Sequence, residues 1–562
     1  MAGFRRRMVA QTLRLSAPEH DVVVERAIPV PMADGVELLT DHYAPRAEGE
    51  YPTILIRTPY GRGREVALPG GYPLAELPGQ RLAERGYHVV VQGARGCFDS
   101  GGEFSPHVNE AADGQAAAAW IARQPWFNGL LGTWGPSYLG YMQWAAVDAG
   151  VTPQAMLVMI ASSENYGVTH PDGAFGLETR LRWCQGQYVQ KQMHGRRQPA
   201  HFWHRLFGGD ERRLQAAFDH LPLCEADVVA AGAPILFYRE MLAHTHPGAP
   251  YWTERDHRDA VARAEAPVHL LGGWYDYYLR GLLRDYQALC SAGRRPYLTI
   301  GPWWHANGDA MLMGLRAGID WFDTHLKGKQ VMRDSPVRIY VMGADEWRDY
   351  NTFPPPADEV HYYLQPGREL RTALPRAREV PDRYRYDPAD PTPALGGALL
   401  AMRGAGPVDN QDLEARDDVL CYTTEPLVED LEVIGPVRLE LYAASSLAHT
   451  DFFGRVCDVA PDGRSTNVCD GLARVAIEDG PAAWGNGRYV EVDLSWTAHR
   501  FRAGHSLRLQ VSSGAHPRWS RNLGTGTPLG EGVEMRAADQ VVFHDAVRPS
   551  ALVLPVLSPP GS

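Results

Sequence analysis

Short apolar runs at 22–30 (VVVERAIPV) and 35–43 (GVELLTDHY), separated by Met32-Ala33-Asp34-Gly35, predict a β-hairpin. A buried-type strand follows at 53–57 (TILIR), bounded by Pro52 and Pro59. A helical stretch over 74–85 ends at Gly86 and leads into the strand HVVVQ at 88–92. The alanine-rich run at 110–123 predicts a helix, the run at 130–134 a strand, a second helix begins near Tyr138, and AMLVMI at 155–160 is another buried strand. Strands alternating with helices imply a parallel sheet covered on both faces, hence an α/β fold.

That alternation stops between about Ser162 and Asp256. This stretch is rich in Trp, His, Arg and Gln and reads as a mostly helical insertion. The α/β pattern resumes with PVHLLGGW at 267–274, a helix near 278–291 and PYLTIGPW at 296–303. After Phe353-Pro354-Pro355-Pro356 the period changes to two, as in VRLELYA (437–443), RYVEVDLSW (488–496) and HSLRLQVSS (505–513). Short alternating strands with Gly, Pro and Asp turns predict an all-β sandwich or jelly roll. The 562 residues divide into a discontinuous α/β unit (1–161 and 258–353), the insertion (162–257) and the β region (354–562).

Composition removes several function classes. The net charge of −12 argues against nucleic-acid binding, which needs clustered Lys and Arg. The basic N-terminal start lacks a following apolar run of signal-peptide length, so a cytoplasmic protein is expected. Residues 124–147 carry no charge, yet Pro125, Pro136 and four glycines make them a poor membrane span. Seven scattered cysteines form no CxxC pair and read as buried free thiols; Cys457 and Cys469 alone could meet across a hairpin. His201, His204, His244 and His246 have no spaced carboxylate or cysteine partner, so no metal is expected.

The chemistry lies in the uncharged run. In Gly132-Thr133-Trp134-Gly135-Pro136-Ser137-Tyr138-Leu139-Gly140 a short strand enters a serine flanked by glycines and then a helix. That is the pattern of a nucleophile elbow, in which a sharp strand-to-helix turn presents a hydroxyl above the sheet. Asp276 follows the strand at 267–274, and His305 follows the one at 296–303. Taken singly, each has a plain alternative: a capping serine, a helix N-cap, a structural histidine. Together they follow three parallel strands in the order Ser, Asp, His of an α/β-hydrolase triad. His305 would take the Ser137 proton, Asp276 would orient the imidazole, and no cofactor is required. The backbone N–H of Tyr138 supplies one oxyanion donor. Tyr60, in the loop after an early strand, is either a surface residue or the second donor.

These residues resemble the cocaine esterase and X-Pro dipeptidyl-peptidase family. The similarity lies in MADGVELLTDHYAP (32–45), RTPYGR (57–62), ARGCFDSGGEF (94–104), GPSYLG (135–140), GGWYD (272–276), GPWWH (301–305), WFDTHLKG (321–328) and VRIYVMGADEWRDYNTFPPP (337–356). The resemblance implies an α/β-hydrolase core, a helical lid at 162–257 and a C-terminal jelly roll that closes one side of the cleft. It implies Ser137 as nucleophile, Asp276 as acid, His305 as base, and Tyr60 and Tyr138 as oxyanion donors. Trp183, Phe202, Trp203 and Tyr238 are candidates for a substrate pocket, or equally for the core of the lid. The expected activity is hydrolysis of a small ester or activated amide through an acyl-serine. The alternatives are an X-Pro dipeptidyl peptidase or α-amino-acid ester hydrolase, and a biosynthetic acyltransferase. The peptidase chemistry needs carboxylates to hold an ammonium, for which the insertion offers Glu164, Asp172, Glu178, Glu225 and Asp227. A monomer and a homo-oligomer are both compatible with the sequence.

Overall fold

The computed structural model describes residues 2–63, 75–193, 209–376, 380–478, 480–485 and 487–557, with residue 379 also placed. The chain opens on helix α1 (Ala2–Thr12), which the sequence pattern did not predict. The hairpin β1 (Val22–Pro31) and β2 (Glu37–Pro45) forms as expected. It is followed by β3 (Thr53–Thr58), α2 (Glu76–Ala83), β4 (His88–Gly93), α3 (Glu110–Ile121), β5 (Leu131–Pro136), α4 (Tyr138–Asp148) and β6 (Ala155–Met159). Beyond the insertion come β7 (Val268–Tyr275), a helix at Leu279–Ser291, β8 (Tyr297–Trp304), a helix at Gly308–Lys327, β9 (Val337–Val341) and β10 (Glu346–Tyr350).

These strands form one ten-stranded sheet in the order β1-β2-β4-β3-β5-β6-β7-β8-β9-β10. The central pairs from β4/β3 to β8/β9 are parallel; only the outer pairs are antiparallel. Every residue of β3, β4, β5, β6 and β7 is buried, as a sheet covered on both faces requires. Because β5, β6, β7 and β8 lie side by side and parallel, their carboxyl ends share one edge.

Between β6 and β7 the chain is mostly helical: α5 (Tyr166–Thr169), α6 (Leu177–Met193), α7 (Gly209–Asp219), α8 (Ala226–Ala231), α9 (Leu236–Ala243), α10 (Pro250–Thr253) and α11 (Arg258–Arg263). The insertion has its own core, in which Phe175, Leu181, Cys184, Phe218, Tyr238 and Trp252 pack together. Its two ends are pinned to each other, since His257 N–H donates to Ser163 O at 2.9 Å. Asp285, on α12 (Leu279–Ser291), accepts from Ser163 N–H at 2.8 Å and from its hydroxyl at 2.7 Å. The helix Gly308–Lys327 is α13.

The C-terminal part is all-β, from β11 (Asp358–Gln365) to β21 (Ala551–Val556), in one eleven-stranded sheet. The sheet folds over itself: a Cβ at Gly454 would sit 2.8 Å from Leu439 and 2.9 Å from Leu494 on other strands. Leu439, Leu441, Val492, Leu494, Leu509 and Leu552, alternating along their strands, fill its core. All seven cysteines are free thiols. In the hairpin that carries the last two, Cys469 faces Val456 and Cys457 faces Asn467, so they do not pair.

Candidate active site

Ser137 sits between the last residue of β5 and the first of α4 at φ 56°, ψ −124°. A residue with a Cβ is strained there, and only close packing around it holds the turn. Two glycines make that packing possible. A Cβ at Gly135 would lie 2.3 Å from Leu139 Cβ, and one at Gly140 would lie 2.5 Å from Ala161 Cβ. Gly140 therefore does the work of the second elbow glycine one place further along, where it lets α4 press against the end of β6.

Asp276 and His305 immediately follow β7 and β8. Their approach also depends on a glycine, because a Cβ at Gly273 would meet Trp303 O at 2.2 Å. Asp276 is buried, its Oδ1 accepting from Tyr278 N–H at 2.7 Å. Its Oδ2 lies 2.9 Å from His305 Nδ1, and His305 Nε2 lies 2.9 Å from Ser137 Oγ. A carboxylate can only accept, so Nδ1 carries the proton and Nε2 presents its lone pair to the Ser137 hydroxyl. The ring of Tyr277 stacks on the imidazole at 4.3 Å between centroids. Thus the three candidates drawn from separate parts of the chain form one hydrogen-bonded line.

Tyr60 stands in a turn in which its N–H donates to Thr58 Oγ1 at 3.0 Å. Its phenol is within hydrogen-bonding reach of Ser137 and accepts from Trp183 Nε1 at 3.1 Å. An indole N–H can only donate, so the phenol must accept from it and keeps its own proton to donate. Burial pushes the phenol well above its ordinary pKa, more than the Trp183 and Ser137 hydrogen bonds lower it. Tyr60 is therefore a proton-bearing donor at neutral pH. Tyr138 opens α4, where a backbone N–H has no acceptor within the helix. Its phenol, shielded from water, donates to Glu110 Oε1 at 2.7 Å and accepts from His107 N–H at 2.8 Å. Arg57, 3.4 Å from Glu110, completes a buried network that fixes this first turn. Burial raises the Glu110 pKa, against the opposing pull of Arg57.

The other candidates separate. Trp183 reaches the site through Tyr60, and its ring lies parallel to that of Tyr138, 6.1 Å away. Tyr238 does not line the cleft; it is fully buried in the insertion's own core, where its hydroxyl donates to Leu223 O at 3.0 Å. The apolar face of its helix packs inward, which a pattern of aromatic residues cannot distinguish from a pocket wall. Phe202 and Trp203, with His201 and His204, lie outside the described residues. His244 stacks on Tyr251 and bonds the carbonyl of Glu240, and His246 accepts from Gly248 N–H. Tyr277 and Tyr278, which pack beside His305, were missed from sequence, although they directly follow the GGWYD run.

Behind Asp276 lies a cavity of about 520 Å³. The sheet (Trp274, Tyr277), the insertion (Glu164, Asp172) and the β region (Asp470, Trp496) all contribute to its wall. A smaller hollow of about 260 Å³ lies beside Tyr60, between Pro59, Cys97 and Phe104 and the insertion's Gln187 and Phe237. Among the described residues no helix is long and apolar enough to cross a membrane.

A parallel sheet with a serine elbow, an acid and a histidine at its carboxyl edge defines an α/β-hydrolase of the serine type. Comparison with known proteins narrows this. Residues 34–307 match the family described as X-Pro dipeptidyl-peptidase (S15 family), and residues 329–553 match the X-Pro dipeptidyl-peptidase C-terminal non-catalytic domain. The chain is 33% identical to the cocaine esterase of Rhodococcus sp. (strain MB1 Bresler), over 94% of this chain and 97% of that one. It is 26% identical to a putative serine esterase of Mycobacterium bovis, over 86% and 89% of the two chains. The chain belongs to the cocaine esterase and X-Pro dipeptidyl-peptidase (S15) family and is a serine hydrolase. Solved structures share its fold. An aminopeptidase from a marine sediment Thaumarchaeota archaeon gives a TM-score of 0.81 at 22% identity, covering 96% of this chain and 97% of that one. An α-amino acid ester hydrolase gives 0.79 at 23% identity, with the same coverage.

Proposed function

We propose that the chain hydrolyses an ester, or an activated amide, of a small organic substrate through an acyl enzyme on Ser137. The observation that carries this is the pair of 2.9 Å contacts linking Asp276, His305 and Ser137. Ser137 Oγ attacks the carbonyl carbon while His305 Nε2 takes its proton. The negative charge that develops on the carbonyl oxygen is met by the Tyr60 hydroxyl and the Tyr138 N–H. Collapse of the tetrahedral species expels the alcohol, which receives the proton from Nε2. Water then enters, His305 removes its proton, and the acid leaves with Ser137 restored. Asp276 keeps the imidazole in one tautomer throughout and stabilises it when protonated.

The relative named as a cocaine esterase supports ester cleavage over peptide cleavage. So does the fate of the five carboxylates that could have held a substrate ammonium. Glu164 pairs with Arg284, Asp172 with Arg280, Glu178 with Arg182 and Asp227 with Arg239, while Glu225 lies near His220 on the outside. A carboxylate already neutralised by arginine is a weak anchor for an ammonium. For location, free thiols at all seven cysteines support a reducing, cytoplasmic compartment.

The decisive experiment is exposure to a fluorophosphonate, followed by mass spectrometry and by turnover of p-nitrophenyl hexanoate. The parent should carry one adduct on Ser137. Ser137→Ala should carry none and lose about four to six orders of magnitude in turnover. Labelling elsewhere, or a Ser137→Ala enzyme that keeps its activity, ends the assignment.

A further inference from the structure

The insertion presents to the site a positive charge that nothing neutralises. On α6, Arg180, Trp183, Cys184 and Gln187 are spaced i, i+3, i+4 and i+7, so they share one face of the helix. Trp183 on this face reaches Tyr60. One turn earlier Arg180 is only 3% exposed, and its Nε and Nη2 have no hydrogen-bond partner among the described residues. Its guanidinium interacts with the phenol of Tyr278, whose ring centroid is 5.6 Å from that of His305. Asn165 Oδ1 accepts from the same phenol at 3.3 Å, and Asn165 Nδ2 is likewise buried and unpartnered. Two side chains that meet one hydroxyl beside the catalytic imidazole therefore carry three buried nitrogen donors without partners.

The neighbouring carboxylates are engaged elsewhere: Asp276 with His305, Glu164 with Arg284, Glu178 with Arg182. A buried guanidinium without a counter-ion is costly to keep, and a planar fork of N–H groups matches a carboxylate well. Other arginines around the insertion, less deeply buried, have close carboxylate partners. Arg280, for example, sits between Asp172 at 2.6 Å and Asp493 at 2.8 Å. Arg180 stands out by charge, burial and position together.

We propose that Arg180, assisted by Asn165, binds a carboxylate carried by the substrate, so that the enzyme's preferred substrates are anionic esters or amides. This rests on the serine-hydrolase reading of the same site and adds the substrate class to it. Tyr277, which stacks on His305, precedes Tyr278 in the chain, and Trp183, which bonds Tyr60, lies one turn from Arg180 on α6. Both are partly exposed, so the donors adjoin residues that border the Ser137 crevice. The carboxylate is on either the acyl or the alcohol half of the substrate.

The test compares kcat/KM for three esters: mono-p-nitrophenyl adipate, 4-carboxyphenyl hexanoate and neutral p-nitrophenyl hexanoate. The parent should prefer at least one anionic ester, and which one tells the half that carries the charge. Arg180→Gln should lower the anionic-to-neutral ratio by about a hundredfold, as expected when one partner of a buried charge pair is removed. Arg180→Lys should recover part of that ratio. A parent with no anionic preference, or a ratio unmoved by Arg180→Gln, overturns the proposal. Calorimetric titration with adipate separates this from failure of the serine reading, because it needs no turnover. The parent should bind adipate and a folded Arg180→Met, checked by circular dichroism, should bind at least about tenfold more weakly. Absence of binding by the parent, or equal binding by the variant, also overturns it.

Discussion

The sheet edge and the insertion above it meet at one site, yet they are built on opposite terms. At the edge, backbone topology does the positioning. Three parallel strands of one sheet, β5, β7 and β8, end on the same edge, and Ser137, Asp276 and His305 each stand one residue past a strand end. Their side chains need only short hydrogen bonds to align. In the insertion no ladder fixes anything, and its helices are held by side chains: a shared apolar core, Arg182 bridging Glu178 and Glu211, Arg239 on Asp227, and Glu178 Oε2 accepting from Leu400 N–H of the β region at 3.0 Å. The edge thus holds the line Asp276–His305–Ser137, and the insertion reaches it through side chains such as Trp183 on Tyr60. A parallel sheet is costly to alter, so one chemistry persists on it, whereas a helical cover can change its side chains without moving the strands.

This contrast can be broken or sharpened by experiment. The largest effect is expected at the junction of the two regions. Tyr60→Phe removes the phenolic donor while preserving the ring, and turnover of p-nitrophenyl hexanoate should fall by about a hundredfold to a thousandfold with little change in KM. A variant as fast as the parent would remove Tyr60 from the oxyanion site. Trp183→Phe acts one step further out, since it deletes only the hydrogen bond that orients Tyr60. Its kcat should drop by about tenfold, and the loss should nearly vanish when measured in the Tyr60→Phe background. If the two losses multiply instead, Trp183 acts on substrate directly and the insertion takes part in the chemistry itself.

The smallest effect concerns the anchor between the regions. Burial raises the Asp285 carboxyl to about 7, despite the opposing hydrogen bonds from Ser163 and the nearby Arg284. An unfolded aspartate releases its proton near 3.9, so the folded protein holds an extra proton between about pH 4 and 7. Stability from this group is therefore lost as pH rises through that window. Asp285→Asn does not titrate. Measured by thermal unfolding, its stability relative to the parent should climb by about 2–3 kcal/mol between pH 5 and pH 8. A pH-independent difference would show that the carboxylate is charged throughout and that the insertion is anchored by a full charge.

What could be read directly from the sequence follows the same division. The strand-helix alternation located β3 to β8, and the glycines around Ser137 marked a turn that only a strained residue occupies. The order Ser, Asp, His was enough to bring three distant residues to one edge, because parallel strands leave no other arrangement. β9 and β10 were not read as strands of this sheet, and the β1–β2 hairpin gave no hint that it would join the edge by pairing β2 with β4. In the insertion, local pattern failed. Tyr238 and Trp183 look alike along the chain, yet one fills a core and the other reaches the nucleophile's neighbour.

The sequence by itself marked the serine, acid and histidine that the structure brings into one hydrogen-bonded line. A serine, an imidazole and a carboxylate at strand ends follow from periodicity and turn chemistry, which are local and additive. The tertiary structure alone decided that Trp183 donates to the Tyr60 phenol, and that Tyr277 covers His305. It alone left Arg180 buried without a counter-ion. Each of these depends on which charges and rings meet across elements far apart in the chain, and burial makes such meetings strong precisely where no local pattern records them.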